Sequence, residues 1–337
     1  MNIKVVVIDD SALMRKVLSN MINESRDMEV VDVARNGQEA LKVIERSRPD
    51  LVTLDVEMPV MDGIETLKTL KERYRLPVIM LSSKTNEKTT IEALELGAED
   101  FVEKPVSIKE NWTAFKEDLE TRIRSHFPED KRTVKVKKSQ SLVPDVLLEK
   151  KASLKAIAIG ASTGGPKALV HVIQSISEQL AVPVFIVQHM PAGFTASFAQ
   201  RLDSLSSVDV LEARDNMRIK PGTVYLAPGG KHMLIRKNKI SLNDEPKVHG
   251  VRPAVDHLFE SAAETYGKDI LGIILTGMGN DGADGCESIK QSGGYILSQD
   301  KQTSIVYGMP RVVFERGLSD QVGSLTEIAD ILKEMTR

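Results

Sequence analysis

The chain has little of several things that would have narrowed its class. A single cysteine, Cys286, stands among 337 residues, which excludes an internal disulfide and any cysteine-rich metal site. No apolar run approaches the ~18 residues that a membrane-spanning helix needs, and the opening stretch MNIKVVVIDD lacks the layout of a signal peptide. A cytosolic protein without membrane insertion is the expectation. No charge sign dominates, the formal net charge being −3. The excess of acid sits in residues 1–124, while residues 152–337 are nearly neutral, with 19 Lys/Arg against 20 Asp/Glu. A neutral C-terminal half is a poor electrostatic match for nucleic acid. What is present supports packed cores, with 41% hydrophobic and 28% charged residues.

Residues 3–105 alternate short apolar runs with helical segments: IKVVVID, ALMRKVLSNMI, EVVDVA, GQEALKVIER, DLVTLDV, GIETLKTLKERY, PVIMLSS, TIEALELG and DFVEKP. Five apolar strands with helices between them predict a doubly wound parallel sheet buried on both faces. IKENWTAFKEDLETRIR closes this domain near residue 124. Residues 125–151 lose periodicity and carry Pro, Ser, Gln and a basic excess, the composition of a flexible linker. The βα rhythm resumes at 155 and predicts a second, mostly parallel α/β domain over 152–337. Within it GTVYLAPGGKHMLIRKNKISLND looks like an antiparallel insertion.

Asp9 and Asp10 end the first strand, Asp55 ends the third, Ser82 ends the fourth and Lys104 follows the fifth. Ligands of such sheets gather beyond the carboxyl ends of the strands. Three carboxylates there repel one another unless a hard cation joins them, and oxygen donors suit Mg²⁺. Lys104 offers a point charge and Ser82 a hydroxyl for a phosphoryl oxygen. Taken singly, Asp10 could cap the helix that follows, and Asp62-Gly63 could be an ordinary turn. Four strand ends agreeing is the stronger pattern.

VVVIDDS, LVTLDVEMPVMDG, PVIMLSS and DFVEKP resemble the receiver domain of two-component response regulators, over about 120 residues. The resemblance implies a flavodoxin-like fold in which Asp55 accepts a phosphoryl group from a histidine kinase. It implies Mg²⁺ held by Asp9, Asp10, Asp55 and the Glu57 main-chain carbonyl. Lys104 and Ser82 would bind the phosphoryl group, and Phe101 would be the aromatic that reorients when the switch fires.

In the second domain GASTGGP, residues 160–166, lies between the apolar run AIAI and the helical PKALVHVIQSI. GASTG satisfies the G-x-S-x-G pattern of a nucleophile elbow, strand before and helix after. Ser162 is therefore a candidate nucleophile, with a helix cap and a phosphate loop as open alternatives. A dinucleotide fingerprint fails, because Ser162 stands where its second glycine belongs. A nucleophilic serine needs a histidine and usually a carboxylate. Of six histidines, His189 alone ends a buried strand, PVFIVQHMP, directly after the strand that carries Ser162. ILTGMGNDGADG ends a further apolar strand and offers Asp281 and Asp284, with Asp281 nearer the strand end and a turn or cap role as its alternative. The order Ser–His–Asp is not that of the α/β-hydrolases.

AIGASTGGP, VQHMPAGFTASFAQRLD, VYLAPGGKHM, RPAVDHLFESAA, ILTGMGNDGADG and VYGMP resemble the effector domain of the chemotaxis protein-glutamate methylesterase family, from about 155 to 335. The order receiver, linker, esterase is itself that family's arrangement. The resemblance implies a Rossmann-like domain that hydrolyses γ-glutamyl methyl esters on chemoreceptors and deamidates receptor glutamines. Ser162, His189 and Asp281 would form its triad, without a cofactor, and amides near Thr163 and Met278 would stabilise the oxyanion. The implied partners are methyl-accepting receptors as substrate and the chemotaxis kinase as phosphodonor, with recruitment to receptor arrays. The resemblance also favours an unphosphorylated receiver that inhibits the esterase.

Overall fold

A computed structural model describes residues 2–83, 86–105, 112–127 and 145–337, and the chain divides into two compact units, Met1–Lys131 and Arg132–Arg337. The first contains β1 (Ile3–Ile8), α1 (Ala12–Asn23), β2 (Met28–Ala34), α2 (Gly37–Ser47), β3 (Leu51–Asp55), α3 (Gly63–Arg73), β4 (Val78–Ser82), α4 (Glu87–Glu95), β5 (Asp100–Glu103) and α5 (Trp112–Ser125). Its five strands lie in the order β2-β1-β3-β4-β5, all parallel. β3 and β4 are buried along their whole length, so they read as largely apolar runs ending in Asp55 and Ser82 rather than as alternation. Val5 and Val7 of β1 pack with Leu18, Met21 and Ile22 of α1 and with Phe115, Leu119 and Ile123 of α5. The order reverses between β1 and β3, where the chain ends of both strands open a crevice.

The second unit contains α6 (Asp145–Lys151), β6 (Ala156–Ala161), α7 (Gly165–Ile173), β7 (Val184–Gln188), α8 (Phe194–Leu205), β8 (Asp209–Glu212), β9 (Thr223–Leu226), β10 (His232–Arg236), β11 (Lys239–Asn243), α9 (Val255–Tyr266), β12 (Ile270–Ile274), α10 (Ala283–Gln291), β13 (Tyr295–Gln299), α11 (Met309–Glu315), β14 (Gln321–Gly323) and α12 (Leu325–Met335). Seven parallel strands run in the order β14-β13-β12-β6-β7-β9-β8. The expected antiparallel stretch divides in two. β9 is a parallel strand of the main sheet, and only β10 and β11 pair antiparallel, as a separate two-stranded hairpin. The main sheet reverses its order between β6 and β12.

Within the stretch read as a linker, residues 128–144 lie outside the described residues. Both of its described ends contain helix: α5 runs to Ser125, and α6 belongs to the second unit. Leu147 is buried there, Lys150 Nζ donates to the Gly293 carbonyl at 2.9 Å, and Lys151 pairs with Glu334 at 3.2 Å. A helix of about two turns is too short for periodicity to reveal it. No helix among the described residues is long and apolar enough to cross a membrane.

Ala156, Ala158 and Gly160 form a stripe of small residues along β6. A Cβ on Gly160 would lie 2.5 Å from Val255 Cγ1 and 3.2 Å from Ile274 Cδ1. The stripe lets the first turn of α9 press against the sheet. Gly160→Ala should cost about 1–3 kcal/mol of stability in the second unit, because the added methyl overpacks a closed site. Chemical denaturation of the full-length protein measures it. A variant as stable as the wild type would show that α9 yields freely.

Candidate active site and candidate phosphoryl site

In the first unit the predicted strand-end residues converge. Asp9 is fully buried and Asp55 nearly so, while Asp10 is exposed. The carboxylates of all three lie within 4.8 Å of one another. Lys104 Nζ sits between two of them, 2.7 Å from Asp9 Oδ2 and 2.7 Å from Asp55 Oδ2. Ser11, rather than Asp10, caps α1 by accepting from the Met14 amide, so Asp10 keeps its carboxylate free of that task. Burial pushes the Asp55 carboxyl up to about 6, with Asp9 and Asp10 adding to the rise and Lys104 opposing it. Burial also works against the charge on Lys104, but Asp55 and Asp9 prevail and hold its ammonium above the usual range. A cluster with three carboxylates and one ammonium retains a negative excess, and its oxygen donors fit a hard divalent cation.

The other predicted members lie around this cluster. Ser82 is buried and its hydroxyl is 2.5 Å from that of Thr90. Phe101 is buried. Glu57 lies exposed two residues beyond Asp55.

In the second unit the parallel ladder sets the positions. β6 and β7 pair up to Ala161 opposite Gln188, so Ser162 and His189 each follow the last paired residue of neighbouring strands. β12 lies on the other side of β6. The loop after it holds Asp281. Ser162 thus occupies the reversal point of the sheet, where such folds open a crevice. Its amide donates to the Thr276 carbonyl at 3.0 Å, and Gly164 (φ 74°) supplies the left-handed turn into α7. No side chain caps α7, and the Ser162 hydroxyl makes no hydrogen bond among the described residues.

His189 Nε2 lies 2.6 Å from Asp281 Oδ2. The Asp281 carboxylate, 1% exposed, also accepts the amides of Val255 (2.7 Å) and Asp256 (3.1 Å) at the start of α9. Burial works to raise its carboxyl, but the His189 hydrogen bond and charge, with the two amides, prevail and hold it below the usual carboxylate range. Asp284 is exposed and paired with Arg316 at 2.6 Å, and its carboxylate lies near His249 and Asp256 rather than on His189. His232 is fully buried with both nitrogens engaged: Nδ1 accepts the Ala254 amide and Nε2 donates to the Pro246 carbonyl. The amides of Thr163 and Met278 donate to no acceptor among the described residues, and Met278 is exposed.

Three buried residues beneath the crevice were not singled out in the sequence. Gln188 donates to the carbonyls of Ser162 and His189. The Thr276 hydroxyl donates to the Thr163 carbonyl at 2.9 Å. Asp256 accepts the Gly285 amide at 2.8 Å. Burial, reinforced by the neighbouring Asp281 charge, raises the Asp256 carboxyl. Gln188 stands next to His189 in VQHMP, but nothing in that spacing distinguishes a bridging amide from an ordinary buried one.

Fold and sites together define a two-unit protein: an acidic cluster with one ammonium at the strand ends of the first unit, and in the second a serine at one strand end beside a hydrogen-bonded histidine–carboxylate pair. A sequence profile of the CheB methylesterase family matches residues 157–332, and one of the response regulator receiver domain matches residues 5–116. A protein-glutamate methylesterase/protein-glutamine glutaminase of Pyrococcus horikoshii is 44% identical over 97% of this chain and 92% of its own. A protein of the same name from Clostridium acetobutylicum is 43% identical over 99% and 98%. The crystal structure of the Thermotoga maritima CheB methylesterase catalytic domain is 42% identical, covers 54% of this chain and 98% of its own, and superposes with a TM-score of 0.52. The chain belongs to the CheB methylesterase family and joins a receiver domain to a methylesterase domain.

The receiver cluster should gain stability when Mg²⁺ binds, by about 2.7 kcal/mol at a hundredfold excess over the dissociation constant. Differential scanning fluorimetry with and without Mg²⁺ reads the shift, and Asp9→Asn should shrink it. An equal shift in both proteins would remove Asp9 from the cation site.

Proposed function

We propose that Ser162, His189 and Asp281 carry the methylesterase chemistry of this chain, on γ-glutamyl methyl esters of methyl-accepting chemoreceptors. The observation that supports this most directly is the short His189–Asp281 bond at the strand end beside Ser162, with Asp281 charged and buried. Because Nε2 is turned to Asp281, Nδ1 is the nitrogen left to serve as base. Serine proteases use the two nitrogens the other way round. Ser162 Oγ attacks the ester carbonyl while His189 Nδ1 takes the hydroxyl proton. The developing oxyanion is met by the free amides of Thr163 and Met278. The imidazolium returns its proton to the departing methoxide, methanol leaves and an acyl-serine remains. Water then attacks, giving up a proton to His189, and the glutamate carboxylate is released as Ser162 recovers its hydrogen. A glutamine side chain follows the same course with ammonia leaving, which accounts for deamidation.

In the receiver the Asp55 carboxylate attacks the phosphorus of a kinase phosphohistidine, forming a P–O bond as the P–N bond breaks. Asp9, Asp10, Asp55 and the Glu57 carbonyl would hold Mg²⁺, which when bound supplies positive charge against the phosphoryl oxygens. Lys104 is 2.7 Å from Asp55 and turns its ammonium to a phosphoryl oxygen. Ser82 exchanges its Thr90 bond for the same group, and buried Phe101 follows. Phosphorylation thereby activates the esterase, giving receptor adaptation in chemotaxis by a protein that works at cytoplasmic receptor arrays.

Methanol release from methylated receptor tests both halves. Ser162→Ala should lower turnover by on the order of 10⁶. Asp281→Asn should lower it by about 10⁴, since an amide must aim its NH₂ at one of three donors that the carboxylate accepts. Ser162→Ala within tenfold of wild type would remove Ser162 from the mechanism. Acetyl phosphate should speed the wild type and leave Asp55→Asn at its basal rate. Equal stimulation of both would move the phosphorylation site elsewhere.

A further inference from the structure

We propose that Gln188 is a positioning residue of the esterase reaction, holding Ser162 and His189 at a fixed separation through one side-chain amide. The inference rests on the assignment of those two residues as nucleophile and base. Gln188 Nε2 donates to the Ser162 carbonyl at 2.9 Å and to the His189 carbonyl at 3.1 Å. Both partners are main-chain oxygens that only accept, so the NH₂ end must face them, and both of its protons are used. The β6–β7 ladder ends at Ala161 opposite Gln188, and its last main-chain bond runs from the His189 amide to the Ala161 carbonyl at 3.1 Å. Among the described residues no main-chain bond joins Ser162 to His189. The Gln188 amide supplies that tie one step beyond the ladder.

The other end of the side chain argues against a merely structural role. Gln188 is 2% exposed, and its Oε1 is buried without a hydrogen-bond partner. A buried carbonyl left unpaired is costly, and an apolar side chain of the same length would avoid that cost. The glycine pair at the start of α7 bears the same mark. A Cβ on Gly165 would lie 2.0 Å from Gln188 Oε1 and 3.0 Å from Ala161 Cβ, so Gly165 keeps open the space that the amide occupies. Gly165 needs no left-handed backbone. Its smallness serves the neighbour rather than the turn.

Two variants separate positioning from stability in the full-length protein. Gln188→Met keeps length and removes both donors. It should lower kcat for methanol release by about 10²-fold, as expected when reacting groups drift by about an ångström. KM should stay within about threefold, and the thermal midpoint should hold or rise. Gly165→Ala should lower kcat in the same way by displacing the amide, although alanine favours a helix over glycine. Thr336→Val is the structural control. Its hydroxyl accepts the Ser177 amide at 3.1 Å beyond the end of α7 remote from Ser162, so the midpoint should fall while kcat holds. A Gln188→Met protein with kcat near wild type overturns the proposal, and so does one whose kcat falls only with its midpoint. Ser162→Ala distinguishes the two levels of failure. If it is inert while Gln188→Met is normal, only the positioning role is lost. If it stays active, the nucleophile assignment falls first.

Discussion

A carboxylate with 1% exposure and a full negative charge is the constraint on which the esterase unit turns. Burying an unpaired carboxylate is prohibitive, so Asp281 can exist only where donors converge on it. Two of them are amides at the start of α9, where the helix dipole also favours an anion. Those amides reach it because α9 presses on β6, and α9 presses on β6 because Ala156, Ala158 and Gly160 leave room. The third donor is His189. A stripe of small residues in one strand therefore fixes where the charge sits, and the charge fixes which way the imidazole faces.

The receiver unit meets a similar problem with a different solution. Asp9 and Asp55 are both buried, and one ammonium, Lys104, lies 2.7 Å from each. That ammonium cannot offset Asp10 as well, which leaves the cluster attractive to a cation and reluctant to ionise fully. Both units place their candidate sites where the sheet order reverses, between β1 and β3 and between β6 and β12. The loops after neighbouring strands part there in opposite directions, and a crevice opens without any special device.

Much of this was legible because strand ends carry chemistry in such folds. Asp9, Asp55 and Lys104 stand just where apolar runs stop, and so do Ser162 and His189. The parallel sheets followed from runs that are apolar throughout rather than alternating. Less was legible at the margins. β8 (Asp209–Glu212) and β14 (Gln321–Gly323) are short edge strands with only one buried residue each, so they lack the apolar signature of the central ones. β9 was joined to the hairpin by proximity, although its four buried residues mark it as a strand of the main sheet. α6 is hidden in charged sequence because a helix of seven residues with one buried leucine has no measurable period. Choosing among six histidines by sequence relied on position alone; the hydrogen bonds that occupy both His232 nitrogens are invisible until the hairpin and α9 are brought together.

Asp256 illustrates why a site cannot be read from its charged letters alone. It lies beside Asp281, also buried, and its amide donates to the very carboxylate it adjoins. Two buried carboxylates in contact cannot both ionise, so the environment divides them. Asp281 has three donors and is held in its charged form. Asp256 has the Gly285 amide and the His249 imidazole at 3.5 Å, and burial with the Asp281 charge favours its neutral form. The pair then presents one negative charge, on the member that touches His189. In the mechanism we propose, the His189 imidazole becomes imidazolium during ester cleavage, and it would need that charge close and undivided.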